Sequence, residues 1–394
     1  MKSSTSDVTR GELPPDWPAP SATDLARHAA LTQHIREEIA VTGAIPFSRF
    51  MMLALYAPGL GYYSAAQQTF GEGGDFVTAP ELSPLFARCL ANQVAQIAAQ
   101  LSGVDVLEVG AGSGIFAAEL LKSLEAIGAE PRQYSILELS AALRERQRQT
   151  LERHAPHLLP RVRWLDEMPR AGFEAVVVGN ELLDAMPVTR FRVTDHGVLE
   201  QCVGWDGEHF STVERPAGPA LLARVSTFAL TPGYVSEVGF QSEAWVRSLG
   251  ERLGRGAILL VDYGFPRAEF YHAQRSEGTL MCHYRHRAHA DPFRLVGLQD
   301  ITAHVDFTAI AQAGVDAGLD VLGYTAQAPF LIGCGLTELA LEPLDERPRL
   351  ARASAINKLT APHEMGELFK VIALGRGVQG PLRGFVVQDR RGRL

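Results

Sequence analysis

Apolar residues recur at helical spacing over residues 24–42, where Leu25, Ala29, Leu31, Ile35 and Ile39 predict an amphipathic helix. Ser48, following Ile45-Pro46-Phe47, is placed to cap a second helix, and residues 82–100 carry another apolar-periodic stretch. Between them lie the turn-rich aromatic run Tyr56-Ala57-Pro58-Gly59-Leu60-Gly61-Tyr62-Tyr63 and a glycine-rich loop over residues 70–78.

From Val104 the pattern changes to alternating strand and helix. Strands are predicted at 104–109, 134–138, 162–165 and 174–180, with helices at 115–124 and 141–154. This alternation predicts a parallel, doubly wound sheet. The second half is interrupted. Residues 190–215 alternate around Asp195-His196-Gly197 and Asp206-Gly207, which predicts inserted β-hairpins. A helix over 240–253 leads to an apolar fifth strand, 257–263, and a loop-rich insertion follows from Gly264 to Asp306. A helix at 307–317, a sixth strand at 321–326, helical residues 330–358 and final strands at 368–374 and 385–388 complete the chain.

The 394 residues are 46% hydrophobic and 21% charged, enough apolar material to build a core without covalent staples. The net charge of −8 argues against a general nucleic-acid-binding surface. Cys89, Cys202, Cys282 and Cys334 are widely spaced with no CxxC pair, which argues against a disulfide framework and a structural zinc site and suits a reducing compartment. No stretch reaches the roughly 18 apolar residues of a transmembrane helix, so no membrane insertion is expected. Residues 1–23 read as a polar flexible tail. Asp7, Glu12 and Asp16 fit neither a secretory signal nor a mitochondrial presequence, and the expectation is a bacterial-type cytoplasm.

The loop Val109-Gly110-Ala111-Gly112-Ser113-Gly114 joins the first strand of the alternating region to its helix. Glycines there let a ligand approach the backbone closely. A dinucleotide fingerprint requires GxGxxG, and here Ile115 stands where the third glycine belongs. The spacing favours a cofactor without pyrophosphate, such as S-adenosylmethionine, and Glu108 adds an acid suited to its amino-acid end. Glu138 closes the second strand, where an acid can accept ribose hydroxyls. Asn180-Glu181-Leu182-Leu183-Asp184-Ala185-Met186-Pro187 follows the fourth strand, at the ligand end of an open α/β sheet. Helix capping by Asn180, with Glu181 on the dipole, is the alternative reading of that segment. Asp75, Thr78 and Glu81 offer acids and a hydroxyl beside a glycine-rich backbone. Asp262-Tyr263-Gly264 ends the fifth strand. His304 and Asp306 are two residues apart, so strand alternation would put them on one face; no third ligand accompanies them and no metal is expected.

Taken together, these segments resemble the MidA-like family of class I methyltransferases, which includes the mitochondrial complex I assembly factor that methylates an arginine of an NADH dehydrogenase subunit. The resemblance covers residues 45–370. It is carried by Ile45-Pro46-Phe47-Ser48-Arg49-Phe50-Met51, Gly61-Tyr62-Tyr63-Ser64, Gly74-Asp75-Phe76-Val77-Thr78-Ala79-Pro80-Glu81, the glycine loop, residues 180–187, Val261-Asp262-Tyr263-Gly264, His304-Val305-Asp306-Phe307 and residues 364–370. It implies an α/β fold with a seven-stranded, doubly wound class I methyltransferase (Rossmann-like) sheet, S-adenosylmethionine as methyl donor, a protein substrate and symmetric ω-dimethylation of arginine. An N-terminal helical segment, 24–100, would pack on the cofactor site of a domain spanning 101–394, with insertions at about 190–235 and 264–306.

The expected cofactor-binding residues are Glu108, Gly110, Gly112, Gly114, Glu138, Asn180, Asp75, Thr78 and Glu81. The expected catalytic residues are Glu181 and Asp184, which would hold a guanidinium and accept its proton, with Asn180 orienting them and His304 and Asp306 receiving the proton or shaping the channel. A small-molecule O- or N-methyltransferase and a non-catalytic assembly factor that binds the cofactor remain alternatives at this point. The oligomeric state is not legible.

Overall fold

The computed structural model describes residues 14, 17–64, 78–101, 103 and 105–394. Asp75 therefore lies outside the described residues. Helix α1 (Ala22–Thr42) opens with a capping box, in which Ser21 Oγ accepts from Asp24 N–H and the Asp24 carboxylate accepts from Ser21 N–H, both at 3.1 Å. Only Leu31, Ile35 and Ile39 of the predicted stripe are buried; Leu25 is half exposed. A two-residue strand, β1 (Ile45–Pro46), leads into α2 (Phe47–Tyr56), whose cap position is Pro46 and not Ser48. The single helix expected over 82–100 is two, α3 (Ala79–Leu82) and α4 (Pro84–Gln100). Ser83 is held extended ahead of Pro84 and caps α4 by accepting from Leu85 N–H at 3.2 Å.

The alternating region runs β2 (Asp105–Val109), α5 (Ile115–Ala126), β3 (Tyr134–Leu137), α6 (Ala141–His154), β4 (Val162–Leu165) and β5 (Phe173–Asn180). A first insertion supplies β6 (Thr189–Thr194), β7 (Gly197–Trp205), β8 (Phe210–Pro216), α7 (Pro219–Val225) and β9 (Val235–Val238). Helix α8 (Phe240–Arg252) then returns the chain to β10 (Leu253–Phe265). A second insertion carries α9 (Arg267–Phe270), β11 (Met281–Tyr284), β12 (Arg287–His289) and β13 (Asp300–Thr302), and closes through β14 (Val305–Asp306) into α10 (Phe307–Asp316). Strand β15 (Asp320–Ala326) follows. The helical stretch expected over 330–358 is α11 (Gln327–Gly333), α12 (Leu336–Ala340) and α13 (Glu346–Thr360), broken where Gly335 takes φ +97°. Helix α14 (Met365–Leu368) precedes the last strand, β16 (Phe369–Arg376). The strand predicted at 385–388 is absent; Phe385 sits in a 3₁₀ turn, buried against Phe330.

The principal sheet has the order β15-β16-β10-β5-β2-β3-β4, seven strands of which β16 alone runs antiparallel to its neighbours, with β14 added in parallel to the end of β10. The winding reverses between β2 and β5, so their carboxyl ends diverge into a crevice. Helices α4 and α5 pack on one face and α8 and α10 on the other. This is the class I methyltransferase arrangement.

Helices α1 and α2 do not pack on the sheet. They share a separate core with the two insertions, where Ile35, Phe50, Met51, Val203, Cys282 and Ile301 meet. The five-stranded antiparallel sheet built on β6, β7 and β9, and the three-stranded sheet β12-β11-β13, form this second lobe over the crevice. The predicted N-terminal segment is thus divided, with α1 and α2 in the lobe and α4 on the sheet. Phe50 is its hub, edge-on to Phe210 and Phe293 at 5.4 Å each. Phe50→Ala is expected to cost about 3–5 kcal/mol, read as a lower urea midpoint; a loss below 1 kcal/mol would show that the lobe core is not cooperative with the fold.

Candidate active site

Strands β2, β3, β5 and β10 end at one edge, with Val109 paired to Leu137 and Gly179, and Asn180 paired to Val261. Above them is a cavity of about 1440 Å³. Its floor is the glycine loop, Glu138 and residues 180–187; the lobe supplies Tyr56, Tyr63, Met281, Asp300 and Thr302 to its walls.

Gly110 and Gly112 line the cavity at φ +72° and +51°, conformations that side-chain-bearing residues rarely adopt. Gly114 does not line it. A Cβ there would lie 2.8 Å from Gln147 Cα, so the third glycine serves the packing of α5 against α6, a correction to its expected cofactor role. Gln147 then bridges the two halves of the floor, donating to Gly112 O at 3.2 Å and to Glu138 Oε2 at 3.1 Å. Glu138 Oε1 accepts from Ser140 N–H at 2.9 Å, and burial raises this carboxyl. Glu108 is buried in the floor, accepts Tyr134 O–H at 2.6 Å, and is pushed up to about 8 by burial. Thr78 and Glu81 also line the cavity, and Ser113 Oγ donates to Glu81 Oε1, tying α3 to the glycine loop.

Residues 180–187 form no helix, so Asn180 is not an N-cap. Asp262 determines their path: its Oδ2 accepts N–H from Leu182, Leu183 and Asp184 at 3.1, 2.8 and 3.3 Å, and its Oδ1 accepts from Tyr263 N–H at 2.9 Å. Glu181 is left at φ +50° with its carboxyl in the cavity. Asn180 Nδ2 donates to Glu181 Oε1 at 3.0 Å, leaving Asn180 Oδ1 buried without a partner. Glu181 also accepts from Ala79 N–H; burial, reinforced by Asp184, raises it to about 8. Asp184 is 4% exposed, bonded to the Tyr263 hydroxyl, raised by burial to about 6, and its Oδ1 has no partner. Burial likewise raises Asp262, and the Asp184 charge adds to the rise.

His304 lines the cavity, stacked on Phe265 and edge-on to Tyr263, and burial lowers it to about 4, which keeps it neutral. Asp306 does not line the cavity. The chain turns from β14 into α10 at this residue, and Asp306 Oδ1 caps the helix by accepting from Thr308 and Ala309 N–H at 3.0 and 3.2 Å while Oδ2 pairs with Arg267 at 3.0 Å. Its expected catalytic placement is corrected to a capping one. Sequence reasoning passed over Thr302 and Asp300, and Tyr56 was noted only as part of an aromatic run. Tyr63 stood in a quoted motif without a role. Asp300 gave no signal, since a three-residue strand in a loop-rich insertion has no readable period.

The cavity suits S-adenosylmethionine. Two positive-φ glycines, an acid at the end of β3 and the orphaned Asn180 Oδ1 are polar acceptors and open backbone for an adenosine and an amino-acid group. Among the described residues the only lysine or arginine lining the cavity is Lys358, which is exposed, so nothing there favours a pyrophosphate.

The comparisons agree. A family model described as S-adenosyl-L-methionine-dependent methyltransferase matches residues 85–325. A crystal structure from Burkholderia thailandensis with S-adenosyl-homocysteine bound is 51% identical and superposes with a TM-score of 0.93, covering 96% of this chain and 100% of its own. The mitochondrial protein arginine methyltransferase NDUFAF7 homologue of Drosophila melanogaster is 28% identical over 403 residues, 93% of this chain and 90% of its own. NDUFAF7 of Danio rerio is 26% identical over 398 residues, 91% and 90% respectively.

Two measurements check this geometry. Gly114→Ala should lower stability by about 1–3 kcal/mol while the folded variant keeps its S-adenosylhomocysteine affinity; a stable variant that no longer binds would return Gly114 to the cofactor. Glu108 keeps its proton in the folded protein to about 8, whereas the unfolded chain releases it near 4.5, so folded protein holds the extra proton and stability falls as pH rises across that window. Glu108→Gln retains an acceptor for Tyr134 and should flatten the urea-stability slope there by up to about 1.4 kcal/mol per pH unit; an unchanged slope would mean Glu108 titrates normally.

Proposed function

We propose, on the premise that this chain belongs to the family of S-adenosyl-L-methionine-dependent methyltransferases, that its methyl acceptor is the guanidinium of a protein arginine. The observation that carries the reading is the pair of half-buried Glu181 and buried Asp184 at the ligand end of β5, with Asp184 Oδ1 unpartnered. Such carboxyls are costly to ionise alone and become favourable once a cation lies against them. A guanidinium presents five N–H donors in a planar fork that matches carboxylates bidentately. The names of the curated relatives point the same way.

When bound, S-adenosylmethionine supplies an electrophilic methyl group on its sulfonium. Gly110, Gly112, Glu108, Glu138 and Asn180 hold it, with Thr78 and Glu81 closing the site from α3. Glu181 and Asp184 orient the acceptor nitrogen, which is the main requirement of an in-line displacement. The guanidinium must lose a proton as the new N–C bond forms, and one of these two carboxylates takes it. Asn180 keeps Glu181 in place through its Nδ2–H, and His304, held neutral by burial, shapes the channel beside them.

A reducing compartment, with the cytoplasm as its specific form, belongs to the same proposal. Its support is that Cys89, Cys202, Cys282 and Cys334 are all buried and unpaired.

Purified protein should bind S-adenosylmethionine calorimetrically, and Gly112→Val should abolish binding. Glu181→Gln should retain the cofactor within about threefold and lower turnover by about 10²- to 10⁴-fold. A strain lacking the protein should lose arginine dimethylation on at least one protein by mass spectrometry. Label appearing on a small molecule instead would establish a different acceptor, and no label anywhere would leave a non-catalytic assembly factor.

A further inference from the structure

The inserted lobe carries an acidic residue to the cavity whose floor holds Glu181 and Asp184. Asp300 opens β13, is 3% exposed and lines the cavity. Its Oδ1 accepts Tyr63 O–H at 2.9 Å and Ile301 N–H at 2.9 Å, which fixes the plane of the carboxyl. Strand alternation puts Thr302 on the same face, and Thr302 meets the Tyr263 hydroxyl that holds Asp184. Ala303 N–H donates to Asp184 O at 3.0 Å, so the backbone sets the spacing between Asp300 and Asp184. Tyr56 O–H donates to Ala185 O at 3.0 Å, a second tie from the lobe to the same turn.

Asp300 thus joins Glu181 and Asp184 among the carboxyls that face the cavity, and the charges of Asp184 and Asp300 both act on Glu181. Asp184 Oδ1, buried without a partner, is the independent mark of a missing donor. No arginine lines the cavity among the described residues. The geometry points to Asp300 as a third acceptor-binding residue, through which the inserted lobe recognises a cationic guanidinium together with Glu181 and Asp184. The inference rests on the arginine reading and assigns the lobe its part in it. An ammonium concentrates its charge at one point, whereas a guanidinium spreads five donors over several carboxylates at once.

The test uses the full chain saturated with S-adenosylhomocysteine, titrated with a short glycine peptide carrying one arginine and with its citrulline and lysine counterparts. Wild type is expected to bind the arginine peptide in preference to both. Asp300→Asn keeps the oxygen that accepts from Tyr63 and Ile301 but removes the charge. It should weaken the arginine peptide about 10- to 100-fold, leave S-adenosylhomocysteine affinity within about threefold, and leave citrulline binding unchanged; Asp300→Glu should recover part of the loss. Tyr63→Phe, which removes one of the hydrogen bonds that orient the Asp300 carboxyl, should weaken the arginine peptide by a smaller factor, and it decides the matter if Asp300→Asn lowers the melting temperature. Arginine selectivity that survives Asp300→Asn, or Tyr63→Phe in that case, overturns the role of Asp300 and leaves the arginine reading standing. Wild type that does not prefer arginine over citrulline overturns the arginine reading itself.

Discussion

Oδ2 of Asp262 accepts three successive backbone N–H groups, from Leu182, Leu183 and Asp184, while Oδ1 accepts a fourth from its own neighbour Tyr263. A carboxylate so enclosed substitutes for the helix that would otherwise collect those donors. The chain leaving β5 therefore curls around the end of β10 instead of starting a helix, and Glu181 is driven to a positive φ. The placement of Glu181 and Asp184 at the carboxyl edge follows from that curl. It puts the Glu181 carboxyl into the crevice, it sets Asp184 under the Tyr263 hydroxyl, and it offers the carbonyls of Asp184 and Ala185 to the inserted lobe.

The lobe is held by a core of its own, centred on Phe50, and by those few polar ties to the turn. This division has a chemical consequence. The sheet supplies what a methyl donor needs: open backbone at Gly110 and Gly112, and acids at the ends of β2 and β3. The lobe supplies tyrosines and Asp300, which reach the cavity only because two insertions far apart in sequence pack against α1 and α2. Burial then does the electrostatic work. Glu108, Glu181 and Asp184 are all raised by it, because a carboxylate removed from water is costly to ionise until a cation lies against it.

The alternating strands and helices from residue 105 onward were legible because each carries a strong local signal: an apolar run ended by glycine or a polar cluster. The cavity residues Gly110, Gly112, Glu138 and Glu181 were legible for the same reason, since all stand at strand ends where this sheet type binds ligands. Gly114 was misread because glycine answers to two demands, a close ligand or a close helix, and only the position of Gln147 tells them apart. Asp306 was misread because alternation holds only within a strand, and β14 spans just Val305–Asp306, after His304 and at the start of α10.

The amino-acid sequence by itself determined the sheet, the order of its elements, the glycine loop and the motif that follows β5, because these depend on local periodicity and on residues close in the chain. Only the tertiary structure decided that Asp262 shapes the 180–184 turn, that Asp306 caps a helix, and that Tyr63 and Asp300 join one wall although 237 residues separate them. Those outcomes depend on which groups become neighbours after burial, when each N–H and carboxylate removed from water must find a partner. No spacing along the chain encodes that pairing.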